Sequence, residues 1–277
     1  MARIVSLDHL TVFELTPPEL VTVAAQTGFQ HVGVRLNPAA PGEHRHPMIG
    51  DTPMRRETLR RMGELGVAVF DVGVFRLERT VDVRDFEPVF ESAARLGARH
   101  ALVGVAEPDE QAGADLFASL CELGRGYSLL MNLEFLPWSG VPTLAQAQRI
   151  VQLAGQPEGR VLIDAIHLDR VGEGAADVAA ASPALLAYAQ ICDARSPRPV
   201  DFETMIYQAR QDREFPGDGD LDLPGILMAL PPDLPLTLEA PVQPRPGAAT
   251  ALERARRGRA TMDALLLSGQ GGRVPAG

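Results

Sequence analysis

Eight short apolar runs alternate with amphipathic stretches along the 277 residues, and few folds can absorb such a pattern. The runs fall near 3–7 (RIVSL), 31–36 (HVGVRL), 67–75 (VAVFDVGVF), 100–105 (HALVGV), 128–134 (SLLMNLE), 160–164 (RVLID), 186–192 (LAYAQIC) and 235–240 (LPLTLEA). Each is almost continuously apolar, as expected of a parallel strand covered on both faces. Helical segments are predicted over 17–29, 53–66, 84–97, 110–126, 143–155 and 249–267; several open on proline and stop at glycine. Strict alternation with a repeat of roughly 30 residues, the length of one βα unit, predicts a single closed (β/α)₈ barrel. It is placed over 1–268, with a frayed tail at 269–277. An open doubly wound sheet usually shows a glycine-rich turn after its first strand. The segment here, SLDHLTVFELTPPE, contains no glycine.

Composition narrows the function. The formal charge is −10, and an acidic surface repels phosphate backbones, so a nucleic-acid partner is not expected. Every basic side chain is Arg, which removes Schiff-base chemistry on Lys. Cys121 and Cys192 make neither a disulfide framework nor a zinc motif. No apolar run is long enough to span a bilayer and no leader pattern opens the chain, so a cytoplasmic protein without membrane contact is expected. Two connections, 37–52 and 193–222, exceed what a barrel needs and suggest walls or lids at the active face.

Four polar residues interrupt the later strands near their C-terminal ends: Glu134, Asp164, Gln190 and Glu239. One per successive strand, they converge on one mouth if the barrel closes. Any one alone is more often a cap or an ion-pair partner. Together, three buried carboxylates repel one another unless a cation lies between them. An all-oxygen donor set favours Mg²⁺ or Mn²⁺ over Zn²⁺. His167, in DAIH, is placed to hydrogen-bond substrate or move a proton. Arg35 and Arg213 suit an anionic substrate group, and Trp138 and Asp193 complete the expected substrate wall. His44 and His46, in GEHRHP, fit a solvated loop better than a metal clip.

The motifs that carry these residues resemble the xylose isomerase-like TIM-barrel superfamily, often labelled sugar phosphate isomerase/epimerase, over nearly the whole chain. The resemblance rests on AAQTGFQHVGVR, on Glu134-Phe-Leu-Pro137 in LEFLPW, on Asp164-Ala-Ile-His167, on Gln190-Ile-Cys-Asp193 and on Glu239 in LEAP. It implies metal binding by the Glu, Asp, His-or-Gln and Glu positions, with Glu134 and Glu239 as the acid/base pair. Strand seven departs from the usual H-x-x-D, because Gln190 replaces the His. Some bacterial 3-dehydroshikimate dehydratases look similar in carrying a Glu, Asp, Gln, Glu set.

The leading expectation is a metal-dependent isomerase or epimerase of a polyhydroxy carbonyl compound, working through an enediolate. A lyase or dehydratase of a keto acid or cyclic polyol is the runner-up, since both begin by enolisation. An endonuclease needs more His ligands than this chain's 6 His suggest, and a non-catalytic barrel would leave the carboxylates without purpose. The expected partner is a small molecule, and a homodimer is preferred to a monomer.

Overall fold

In a computed structural model, which describes residues 3–39, 42–242 and 249–271, the eight runs close into one parallel barrel in sequence order. Its strands are β1 (Val5–Leu7), β2 (His31–Arg35), β3 (Ala68–Leu77), β4 (His100–Val105), β5 (Leu130–Glu134), β6 (Gly159–Asp164), β7 (Leu186–Ile191) and β8 (Leu236–Leu238). Closure is made by β1 against β8, with Val5, Ser6 and Leu7 opposite Leu236, Thr237 and Leu238.

Helices pack between consecutive strands on the outside. Thr52 caps Pro53–Leu65, Asp109 caps Glu110–Arg125 and Thr143 caps Leu144–Ala154, each accepting a backbone N–H with its side chain. The predicted helix over 84–97 divides into a 3₁₀ turn, Val83–Phe86, and the helix Glu87–Arg95. Pro88 explains the division: it fits the first turn of a helix but not its interior. The last helix runs over Ala251–Gly271. The rest of the expected tail, 272–277, lies outside the described residues. Among the described residues no helix is long and apolar enough to cross a membrane.

The main core lies between strands and helices and is built from Val, Leu, Ile and Ala with a few Phe. Each fully buried Leu or Phe contributes roughly 1.5–3 kcal/mol. A second, smaller cluster plugs the barrel itself: Phe70, Leu102, Leu162, Ala187 and Tyr188. Phe70 stacks on His100 at 4.6 Å and meets Tyr188 edge-on at 5.1 Å. Aromatics are only 5% of the chain, and two of them, Phe70 and Tyr188, fill this interior.

Above the plug lies a charged layer. Asp71 of β3 accepts the Tyr188 hydroxyl at 3.2 Å on Oδ2, while its Oδ1 is buried without a partner among the described residues. Asp8, directly after β1, accepts Leu10 N–H at 2.7 Å. Between the two aspartates, β2 presents Gly33, where an added Cβ would meet Asp71 Oδ1 at 2.6 Å and Asp8 Oδ2 at 2.8 Å. Burial and the neighbouring Asp8 push the Asp71 carboxyl up to about 8.

Candidate active site

The C-terminal strand ends place the polar residues. Glu134 ends β5, Asp164 ends β6 and stands opposite Gln190 of β7, and Glu239 follows β8 directly. Opposed positions in a parallel pair project to the same side. The Gln190 amide therefore reaches both neighbours, at 2.9 Å from Glu134 Oε1 and 3.3 Å from Asp164 Oδ2. With its NH₂ turned toward them it donates to both. With its carbonyl turned toward them three acceptors converge, an arrangement that needs a cation in the middle.

Asp164 also caps the helix Ala165–Arg170, its Oδ1 accepting Ile166 N–H at 3.0 Å. That cap sets His167 within the next turn. The His167 Nε2 lies 3.6 Å from Asp164 Oδ2 and 3.8 Å from Glu134 Oε1, and its Nδ1 is buried with no hydrogen-bond partner among the described residues. Burial lowers the His167 pKa to about 4 against the pull of Asp164, so the ring is neutral at pH 7. Trp138, in the turn after β5, meets this ring edge-on at 5.2 Å.

Arg213 is the hinge of the arrangement. Its Nη1 bonds Asp164 Oδ2 at 2.7 Å and Glu239 O at 3.2 Å, its Nη2 pairs with Glu239 Oε2 at 2.9 Å, and its Nε donates to Ala209 O at 2.7 Å. It is held there because its own N–H bonds Pro241 O, while Asp193 and Glu214 pair as a short antiparallel bridge beside it.

The electrostatics separate the carboxylates. Burial opposes ionisation of Asp164, but Arg213 and His167 outweigh it and hold its pKa below the usual value. Burial, reinforced by Asp164, pushes Glu134 up to about 8. Burial also raises Glu239 well above the carboxylate range, since Asp8, Asp164 and Glu134 counter Arg213. One guanidinium thus cannot neutralise the cluster.

Glu134, Asp164 and His167 each offer a ligand atom within 4.8 Å of one another. Glu239 does not enter that group; Arg213 stands between it and Asp164. The donor chemistry fits a divalent cation. The oxygens are hard, the Gln190 carbonyl can turn inward, and Glu134 lacks a fixed positive partner at hydrogen-bond distance among the described residues.

A cavity of about 140 Å³ opens beside these groups, lined by Glu134, Glu239, His167, Trp138, Arg35 and Arg213 among others. Of the residues expected at the substrate wall, Asp193 is not there. Its carboxylate accepts the N–H groups of Ala194, Gly217 and Leu221 and so ties down the 193–222 connection. Gly219 must lack a side chain, because a Cβ would collide with Asp193 Oδ1 and Ala194. Arg213 lines the cavity, but its N–H groups are engaged. Beside the cavity, His9 bonds Leu15 O and Arg35 N–H, and Glu14 pairs with Arg254. His44 and His46 meet edge-on at 4.7 Å, and neither lines this cavity. Sequence reasoning missed Asp8 and Asp71, and also Arg76 and Arg210, which line the same cavity. A lone Asp inside the apolar run VAVFDVGVF was the available signal for Asp71.

The family model for the xylose isomerase-like TIM barrel matches residues 21–260. No curated protein matches the chain by sequence. Among solved structures, a xylose isomerase-like TIM barrel/4-hydroxyphenylpyruvate dioxygenase fusion protein superposes with a TM-score of 0.79 at 22% identity, over 100% of this chain and 46% of the other. The chain thus spans less than half of that fusion protein. The IOLI protein, in a crystal structure with a bound zinc atom, gives 0.76 at 16% identity, covering 96% of this chain and 98% of that one. An L-ribulose 3-epimerase gives 0.73 at 16% identity, covering 98% and 96%. At these identities the likeness is one of fold.

Proposed function

We propose, for a chain that belongs to the xylose isomerase-like TIM-barrel family, a divalent-metal-dependent isomerase or epimerase of a polyhydroxy keto compound. The observation that carries this reading is that Glu134 and Glu239 line one cavity, beside Asp164 and Gln190, which with them form an oxygen-rich set of donors. Glu134, Asp164, Gln190 and Glu239 would hold the ion. The zinc in the IOLI structure is a divalent relative of it, and the hard donor set favours Mn²⁺ or Mg²⁺ here. When bound, the ion polarises the substrate carbonyl and acidifies the adjacent C–H.

The residues do the rest. One of Glu134 and Glu239 takes the α-proton, leaving an enediolate, and the other returns a proton to the opposite face of that carbon, which inverts it; in an isomerisation the proton returns to the neighbouring carbon while the hydroxyl proton moves to the former carbonyl oxygen. Neutral His167 offers a ring nitrogen to a substrate hydroxyl and can accept or donate at that atom. Trp138 excludes water from one side. The working unit is taken as one domain over 1–268, with a homodimer as its assembly and a small molecule as its partner.

A second reading follows the same first step by loss of the β-hydroxyl as water, the proton supplied by the carboxyl that is protonated. The arginines that line the cavity favour it, since they suit a keto acid.

The test combines two measurements. Elemental analysis of purified protein is expected to give near-stoichiometric Mn or Mg that falls in Glu239→Gln. Proton NMR in D₂O is expected to show α-proton exchange with a ketose or keto acid. No retained metal after Mn²⁺ addition, or no exchange with any such compound, sinks the reading.

A further inference from the structure

Three arginines that the reaction does not use share one wall of the cavity: Arg35 from the end of β2, Arg76 near the end of β3 and Arg210 from the helix Phe202–Gln211. Their charges oppose one another. Burial lowers the Arg210 pKa first, and Arg76 and Arg35 lower it further, with Glu43 the opposing carboxylate. Glu43 Oε1 pairs loosely with Arg35 Nη1, at 3.9 Å, and the acids at the strand ends also face Arg35, so the uncompensated charge of the set lies on Arg76 and Arg210. Arg76 Nε is buried with no hydrogen-bond partner among the described residues. Like charges gathered at a cavity wall with an unused buried donor are costly unless an anion completes the set. Arg213 cannot serve as that donor, because Asp164, Glu239 and Ala209 occupy its N–H groups.

We propose that Arg35, Arg76 and Arg210 form a subsite for a substrate carboxylate, so that the compound enolised is a polyhydroxy keto acid and not a neutral ketose. This deepens, and rests on, the enolisation reading above. Guanidinium forks match the two oxygens of a carboxylate. The size agrees: a cavity of about 140 Å³ is close to the roughly 150 Å³ that accommodates a benzene-sized molecule. A ring-sized keto acid fits that volume with its carboxylate toward the arginines.

Trp138 is the chain's single Trp and lines this cavity, so its fluorescence reports binding without turnover. The Mn²⁺-supplemented protein is titrated with D-fructose, D-fructose 6-phosphate and D-fructuronate, which is D-fructose with its terminal carbon oxidised to a carboxylate. The expected result is at least about tenfold tighter binding of D-fructuronate than of either other probe, a preference that Arg76→Gln and Arg210→Gln each abolish. Added salt should weaken D-fructuronate binding in the wild type and leave D-fructose unaffected, which keeps the test valid if a variant fails to fold. Equal binding of the three, tighter binding of the phosphate, or no fluorescence response to any overturns the subsite. α-Proton exchange in D₂O is read on the same samples. Carboxylate preference without exchange removes the enolisation reading and leaves the subsite; exchange on D-fructose without preference does the reverse.

Discussion

Arg213 Nη1 lies 2.7 Å from Asp164 Oδ2, and this buried contact ties the long 193–222 connection to the end of β6. The same guanidinium reaches Glu239 at 2.9 Å. A residue from a loop is therefore the counter-charge for two carboxylates on two strands.

Removing one side of a buried ion pair leaves an uncompensated charge, which costs about 3–5 kcal/mol. Arg213→Met is expected to lose that much in urea unfolding, through a lower midpoint and an unchanged slope. Arg213→Lys should recover only part, because an ammonium cannot fork between Asp164 and Glu239. A loss under about 1 kcal/mol would mean that the pair contributes little.

Glu134→Gln and Glu239→Gln should each lower turnover by about 10²–10⁴-fold, the usual worth of a positioned proton-transfer group. The fold should survive: Gln keeps the volume of Glu134, whose carboxyl burial already pushes up, and in Glu239→Gln the Arg213 guanidinium keeps its contact with Asp164. Near-normal kcat with intact circular dichroism in either variant removes that residue from the acid/base role.

Asp71 predicts a pH dependence. Its folded carboxyl keeps its proton up to about 8, against an ordinary value of 3.8. Between these values the folded state binds the extra proton. Stability from this group is thus fully present below about pH 4 and is lost as pH rises toward 8. Asp71→Asn should flatten that slope and be more stable than the wild type at pH 8. Parallel urea midpoints for the two proteins at pH 5 and pH 8 would refute this.

A metal bound only by the folded state stabilises it by about 2.7 kcal/mol at a hundred times its Kd. EDTA dialysis should therefore lower Tm, and Mn²⁺ should restore it. Gln190→Leu keeps the bulk but removes the amide oxygen, and should show a smaller Mn²⁺-induced rise. An equal rise in both proteins takes Gln190 out of the coordination set.

The strands and their C-terminal carboxylates were legible because each polar residue breaks an apolar run at a fixed place in the repeat. His167 followed from its distance to Asp164. Arg213 was visible as a cavity arginine but not as a clamp, because its partners are set by how a long connection folds back. Asp193 misled for the same reason: three residues past Gln190, it turns to cap its own loop. Arg76 and Arg210 lie on elements far apart in sequence, and only the closed barrel brings them to one wall. Asp8 and Asp71 form no motif, since their neighbourhood depends on a glycine on a third strand.

That glycine binds three positions into one mutational unit. Gly33 leaves the volume that the Asp8 and Asp71 carboxylates fill. Any side chain at 33 must displace one of them, and a shortened acid would leave a void against a residue that has nothing to fill it. Single substitutions that change the volume at these sites are therefore traps, and the sizes of the trio can drift between relatives only by concerted replacement. Where a related barrel carries a larger residue at this point of its second strand, its interior acid pair should be broken.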